Sequence, residues 1–227
     1  LLGRRLVRED RCVDARPYLP KKYQQRLDEY VKALSDGAST KLSKEERARA
    51  WFKAAWIARY DGMELMGTEG APDGFISEGS FPEPDLAKER LTGRYVKTSY
   101  DSTGEHQQNL PIALKATASE KDRLTKNRIR PDVRFHYRVI AAALALRAAE
   151  LLSDNAEELA DVLNYAGRWS EDRDQKLSER CYNTLERRAA QTEIGRAAIA
   201  KGRFVEQDGP WSKEETSARP QATPNEQ

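Results

Sequence analysis

The sequence has few of the residues from which most active sites are built. Its 227 residues include only two histidines, His106 and His136, and two cysteines, Cys12 and Cys181. The cysteines are far apart and outside any metal-ligand spacing, which signals neither a disulfide framework nor a zinc site. So few histidines leave little for acid–base or metal chemistry. No phosphate-binding glycine loop or nucleophile elbow is present. The acidic side chains Asp73, Glu78, Glu83 and Asp85 match no calcium-loop spacing and are read as solvated. The longest uninterrupted apolar run, Val139 to Leu146, is far too short to cross a bilayer. Charge of one sign is also lacking: 39 basic against 37 acidic residues leave a net of +2, so no global field demands nucleic acid or anionic lipid. These shortages point away from an enzyme, and no cofactor or metal is expected.

What the chain does have is helix-forming material. Ala and Leu number 50 against 15 for Val and Ile, and 33% of the residues are charged, a pattern of solvated helix faces around thin, Ala-lined contacts. Tyr23, Leu27, Tyr30, Val31 and Leu34 fall on one face of a helix. Ser43 with Glu46 is a capping box opening a long helix through Trp51, Phe52, Trp56 and Met63. Val133 to Leu152 reads as an Ala-rich helix ended by Ser153-Asp154-Asn155, and Asn155 with Glu158 reads as a second capping box. Asp174 and Thr192 are placed to cap two further helices, the last running to about Phe204. Residues 67–111 hold 6 of the 13 glycines and 4 of the 10 prolines, yet keep enough aromatics to be an ordered loop, with a short extended piece at Arg94 to Thr98. The expected organisation is helix pairs over 1–66, this loop over 67–111, helix pairs over 112–205 and a polar flexible tail over 206–227.

One unit carries a repeat pattern. From Leu159, Val162, Tyr165, Ala166 and Trp169 are spaced large-x₂-large-small-x₂-aromatic, and Ser178, Tyr182, Leu185 and Ala190 follow on a second helix. Small residues at Ala166 and Ser178 are expected to let the two helices approach, with Trp169 and Tyr182 filling the gap between them. The N-terminus repeats the logic: Leu2-Gly3 and Leu6 lie on one helix and Ala15 and Leu19 on the next, with Asp10-Arg11-Cys12 as the turn. These residues resemble the tetratricopeptide repeat family, whose unit is 34 residues long. Ser178 stands where the family usually has Ala, and Ala190 where it has Pro. The resemblance implies an all-α αα-superhelix that docks a protein or peptide partner on its concave face and performs no catalysis. It also implies that Leu1 begins inside a first repeat whose upstream neighbours are missing, so the compartment stays open.

In such superhelices the first helix of each pair lines the concave surface. That role falls to Leu163, Asn164, Gly167, Ser170 and Glu171, and at the N-terminus to Arg4 and Arg8, with Phe75 and Phe81 of the loop as further contacts. Asn164 stands where clamp members of the family hold a peptide carboxylate, but Arg196 and Lys201 miss the clamp's cationic positions, so no clamp is expected. A second reading is a nucleic-acid stripe of Arg123, Lys126, Arg128, Arg130, Arg134 and Arg138 beside Phe135, His136 and Tyr137. The balanced overall charge favours a solvated face there instead. His136 is expected to be a packed ring.

Overall fold

A computed structural model describes residues 2–69, 92–112, 115–126 and 134–207. They divide into two compact units, with breaks between Thr68 and Glu69 and between Arg134 and Phe135.

The first unit opens with α1 (Leu2–Arg8), α2 (Cys12–Ala15) and a 3₁₀ turn at Arg16–Tyr18, followed by α3 (Lys21–Ala38), α4 (Lys44–Tyr60) and the short α5 (Gly62–Leu65). Gly3 and Ala15 do meet as small residues: a Cβ on Gly3 would lie 3.3 Å from the Ala15 carbonyl oxygen and 3.1 Å from Leu19. Pro17, at the start of the 3₁₀ turn, ends the second helix of this pair after one turn. The expected box at α4 is complete, with the Glu46 N–H donating to Ser43 Oγ and the Ser43 N–H to Glu46 Oε2. Asp61 then ties α4 back to α3 through an ion pair with Arg26 at 2.8 Å.

The second unit contains the antiparallel hairpin of β1 (Arg94–Asp101) and β2 (Gly104–Pro111), and α6 (Ala118–Lys126). The extended piece expected at Arg94 to Thr98 is thus one arm of a full hairpin, while the described residues are otherwise mostly helical, as the all-α expectation has it. β2 hides in the sequence because its polar run, Glu105 to Asn109, lacks apolar alternation. The two-residue turn Ser102–Thr103 is followed at the start of β2 by Gly104, whose φ of 124° favours glycine. This unit reaches Arg134, beyond the loop boundary drawn from composition. Phe75 and Phe81, the acidic residues Asp73, Glu78, Glu83 and Asp85, and the stripe residues Arg128 and Arg130 lie outside the described residues.

The first unit resumes with α7 (Tyr137–Ala149), α8 (Glu157–Ser170), α9 (Gln175–Arg188) and α10 (Glu193–Lys201). α3 packs on α4, α4 on α7, α7 on α8 and α8 on α9, while α10 lies mainly on α8. α4 and α7 run antiparallel: Gly62 abuts Tyr137 at one end, and the Arg147 guanidinium sits 5.0 Å over the Trp51 ring at the other. Ala141, Ala142, Ala145, Ala148 and Ala149 are buried on α7. Side chains this small let α4 and α8 close in on either side of it.

The caps expected at Asp174 and Thr192 are present, accepting from the N–H groups of Leu177 and Gly195. The box expected at Asn155 is not. Asn155 takes a left-handed φ of 58°, which asparagine tolerates, and its side chain accepts from the Gln191 N–H, so Ala156 becomes the N-cap of α8. α10 ends at Lys201 rather than near Phe204, because Gly202 turns left-handed and caps it.

Ala166 is fully buried. Ala166→Leu is expected to overpack this contact at a cost of about 1–3 kcal/mol, read from urea denaturation with an unchanged m-value. A silent substitution would show the small-residue register to be wrong.

Candidate functional site

Almost every side of α8 is covered. With successive residues turned by about 100°, Tyr165 and Trp169 share one side, and Asn164, Gly167 and Glu171 share another. On the first side the rings meet α4. Trp169 stacks on Phe52 at 6.1 Å between centroids and lies edge-on to Trp56 and Tyr60, while Tyr165 is 5.8 Å from Trp56. The expectation that Trp169 fills the gap to α9 is therefore corrected. The α8–α9 seam is too tight for an indole: Ser178 Oγ donates to the Gly167 carbonyl at 3.4 Å, and Cys181 and Leu185 complete the seam as buried side chains. Tyr182 likewise turns to α10, its hydroxyl donating to the Ala198 carbonyl.

On the second side lies a feature that sequence reasoning missed. After Gly202 the chain runs back across α8, and Asn164 grips its backbone from both sides. The Val205 N–H donates to Asn164 Oδ1 at 2.9 Å, and Asn164 Nδ2 donates to the Val205 carbonyl at 2.8 Å. Asn164 Nδ2 also reaches Gln207 Oε1, and Gln207 Nε2 donates to Asp161 Oδ1 at 2.6 Å. Phe204 lies where Gly167 has no side chain: a Cβ there would fall 1.9 Å from the ring. The far edge of that ring meets Tyr182 in a T-shaped pair at 5.6 Å. The only sequence clues were a glycine inside a strongly helical pattern and an aromatic-aliphatic pair just past a capping glycine.

The expected concave face is thus occupied by the chain itself. Asn164 is 0% exposed, and Leu163, Gly167 and Ser170 are buried with it, while Glu171 is exposed. Glu171 lines an open cavity of about 430 Å³ with Arg168, Lys201, Arg203 and the stretch Phe204–Glu206. Arg4 and Arg8 do not line a face. They donate to the Glu64 and Met66 carbonyls at 3.1 and 2.6 Å, closing the end of α5, and Arg8 also covers Phe135. The basic stripe is divided: Arg123, Lys126 and Arg134 belong to the second unit and Arg138 to the first. Within it, Lys126 pairs with Asp122 and Arg134 donates to the Glu69 carbonyl. His136 is a buried ring tilted against Tyr137 at 4.5 Å between centroids, and its Nδ1 accepts from the Arg138 N–H as the cap of α7.

Burial pushes the Cys181 thiol up to about 12 and raises Cys12 in the same direction, the opposite of a reactive thiolate. No group of three or more potential metal ligands occurs among the described residues. None of the described helices is long and apolar enough to cross a membrane.

Asp161 is the perturbed acid of the site. Burial raises its carboxyl to about 6, the hydrogen bond from Gln207 opposes the rise, and Glu157 and Glu158 add to it. The folded state therefore holds the Asp161 proton more tightly than the unfolded chain does. The charged form strains the fold at neutral pH, and the strain is relieved as pH falls from about 6 toward 4. Asp161→Asn keeps an acceptor for Gln207 without the charge. Since water still reaches the carboxylate, about 1 kcal/mol of stabilisation is expected at pH 7.5, or about 2–4 °C in Tm, vanishing near pH 4. A pH-independent gain would remove the titration argument.

Comparison with protein-family models, with curated proteins and with solved structures finds no match to the chain.

Proposed function

We propose that the chain is a non-enzymatic protein-interaction scaffold of tetratricopeptide type, whose stacked helix pairs hold an extended partner segment against α8. The observation that carries this reading is the double hydrogen bond between the Asn164 side chain and the Val205 backbone. A carboxamide presents one donor and one acceptor side by side, the complement of a single extended residue, so it grips backbone irrespective of sequence. The repeat-like spacing from Leu159 to Leu185 and the alanine-lined contacts of α7 support the same reading. The paucity of histidine and the raised cysteines favour binding over chemistry.

The test is photo-crosslinking in the source cells. A photoreactive amino acid at Glu171, beside the cavity, is expected to trap protein adducts, while the same group at exposed Glu186 on α9 traps few. Equal yields at both positions would overturn the placement. Nucleic acid recovered instead, with binding that falls steeply as salt rises, would replace the proposal with the basic-stripe reading.

A further inference from the structure

Phe204–Gln207 adds Val205 to the core, and its polar contacts are of the kind that hold a ligand's backbone. Among the described residues, neighbouring helices supply the bare Gly167 position, the Asn164 fork, Asp161 and the Tyr182 ring that meet the segment. The segment joins α10 through a hinge, since Gly202 is left-handed at φ 61° and α10 is closed before it. The Gly202 N–H bonds the Ala198 and Ile199 carbonyls, and the Arg203 N–H bonds that of Ala198. Leaving the groove therefore breaks none of the backbone bonds of α10. The ring of Phe204 is only half-buried, and Val205 is buried within the core, so departure exposes one aliphatic side chain and part of one ring.

The chemistry of the groove is directional. Gly167 and Tyr182 take an aromatic ring, the Asn164 fork takes the backbone of the next residue, and Val205 shows that an aliphatic side chain can be buried there. The following residue, Glu206, lines the cavity together with Arg168, Lys201 and Glu171, of which Arg168 and Lys201 stay on the helices when the segment leaves. A side-chain amide completes the set at Asp161.

Resting on the scaffold reading, we propose that Phe204–Gln207 is a resident competitor in a peptide groove. The partner is an extended protein segment of the same order, aromatic, aliphatic, acidic, amide, which displaces it. A tethered competitor acts at roughly millimolar effective concentration, so the intact chain binds its partner weakly until the segment lets go.

The experiment uses the full chain and a fluorescein-labelled peptide carrying its own residues 202–209, read by fluorescence anisotropy. In the Phe204→Ala chain the resident is weakened, and the peptide is expected to bind at least 10-fold more tightly than to wild type. Adding Asn164→Asp, which has the same shape without the Nδ2 donor, removes at least 10-fold of that affinity. In wild type, saturating peptide speeds hydrogen exchange at the Val205 amide. Two results overturn the proposal: a Phe204→Ala chain that keeps its helix content and binds no better than wild type, or one that loses helix content and so shows the segment to be core. Glu171 crosslinks obtained alongside either result would leave the scaffold reading standing and reject only the resident competitor.

Discussion

Trp169→Ala is expected to cost about 3–5 kcal/mol, the usual range for deleting a buried indole. The ring is 5% exposed and touches four others: Phe52, Trp56, Tyr60 and Tyr165. It is the link between α4 and α8, helices separated along the stack by α7. The buried alanines of α7 are too short to reach into the space, and the four surrounding rings pack against one another, so much of the cavity term remains. A loss of this size is a large share of the roughly 5–15 kcal/mol that holds a domain folded. It corresponds to a fall of about 6–20 °C in Tm for a unit of this length. Trp169→Phe keeps a stacking ring opposite Phe52 and is expected to lose less than half as much. Urea denaturation followed by far-UV circular dichroism checks both. A Trp169→Ala loss under 1 kcal/mol would mean that the α4–α8 contact does not depend on this ring.

The same residue shows what the sequence could disclose. The spacing of Leu159, Val162, Tyr165, Ala166 and Trp169 marked a helix with a small-residue notch, because the 3.6-residue period is local. It could not say which neighbour the indole faces. That depends on α7 being alanine-lined, and on α4, more than a hundred residues away, carrying Phe52, Trp56 and Tyr60 at matching height. Caps behave similarly. Ser43, Asp174 and Thr192 were legible because a cap involves only the next three residues. Asn155 misled because a distant donor, the Gln191 N–H, takes its side chain oxygen. The candidate site was half legible. Asn164 stood out as a polar residue on the expected binding face, but its partner is Val205, in a segment that falls across the expected boundary between the helix pairs of 112–205 and the tail of 206–227 and carries no periodic signal. The places taken by Arg4 and Arg8 were hidden for a plain reason: long cations beside a helix end find carbonyls, and the end of α5 was invisible in the sequence.

Gly195→Ala is a case where two scales disagree and structure decides between them. By helix propensity the change gains about 1 kcal/mol, since glycine is the poorest ordinary residue inside a helix. The geometry opposes it. A Cβ on Gly195 would lie 1.8 Å from the Ala189 carbonyl oxygen and 2.8 Å from Thr192 Oγ1. The obstacle is backbone, so no rotamer change relieves it. Thr192 is 1% exposed and its hydroxyl does two jobs, donating to Ala189 O at 2.6 Å and accepting from the Gly195 N–H at 2.9 Å. Pushing α10 away breaks that cap, worth about 0.5–2 kcal/mol, on top of about 1–3 kcal/mol for overpacking. The net expectation is a loss of about 0.5–4 kcal/mol, or about 1–16 °C in Tm, against the rise that propensity alone forecasts. Thr192→Val isolates the cap and is expected to lose about 1 kcal/mol. Since α10 leads through Gly202 into Phe204–Gln207, the displaced helix also pulls at the occupant of the α8 face. Val205 amide exchange is expected to quicken in Gly195→Ala and to stay slow in Ala166→Leu, whose strain falls elsewhere. A stabilised Gly195→Ala chain would mean that α10 does not dock where Ala189 meets it, and with it the return of the chain over Asn164 would lose its anchor.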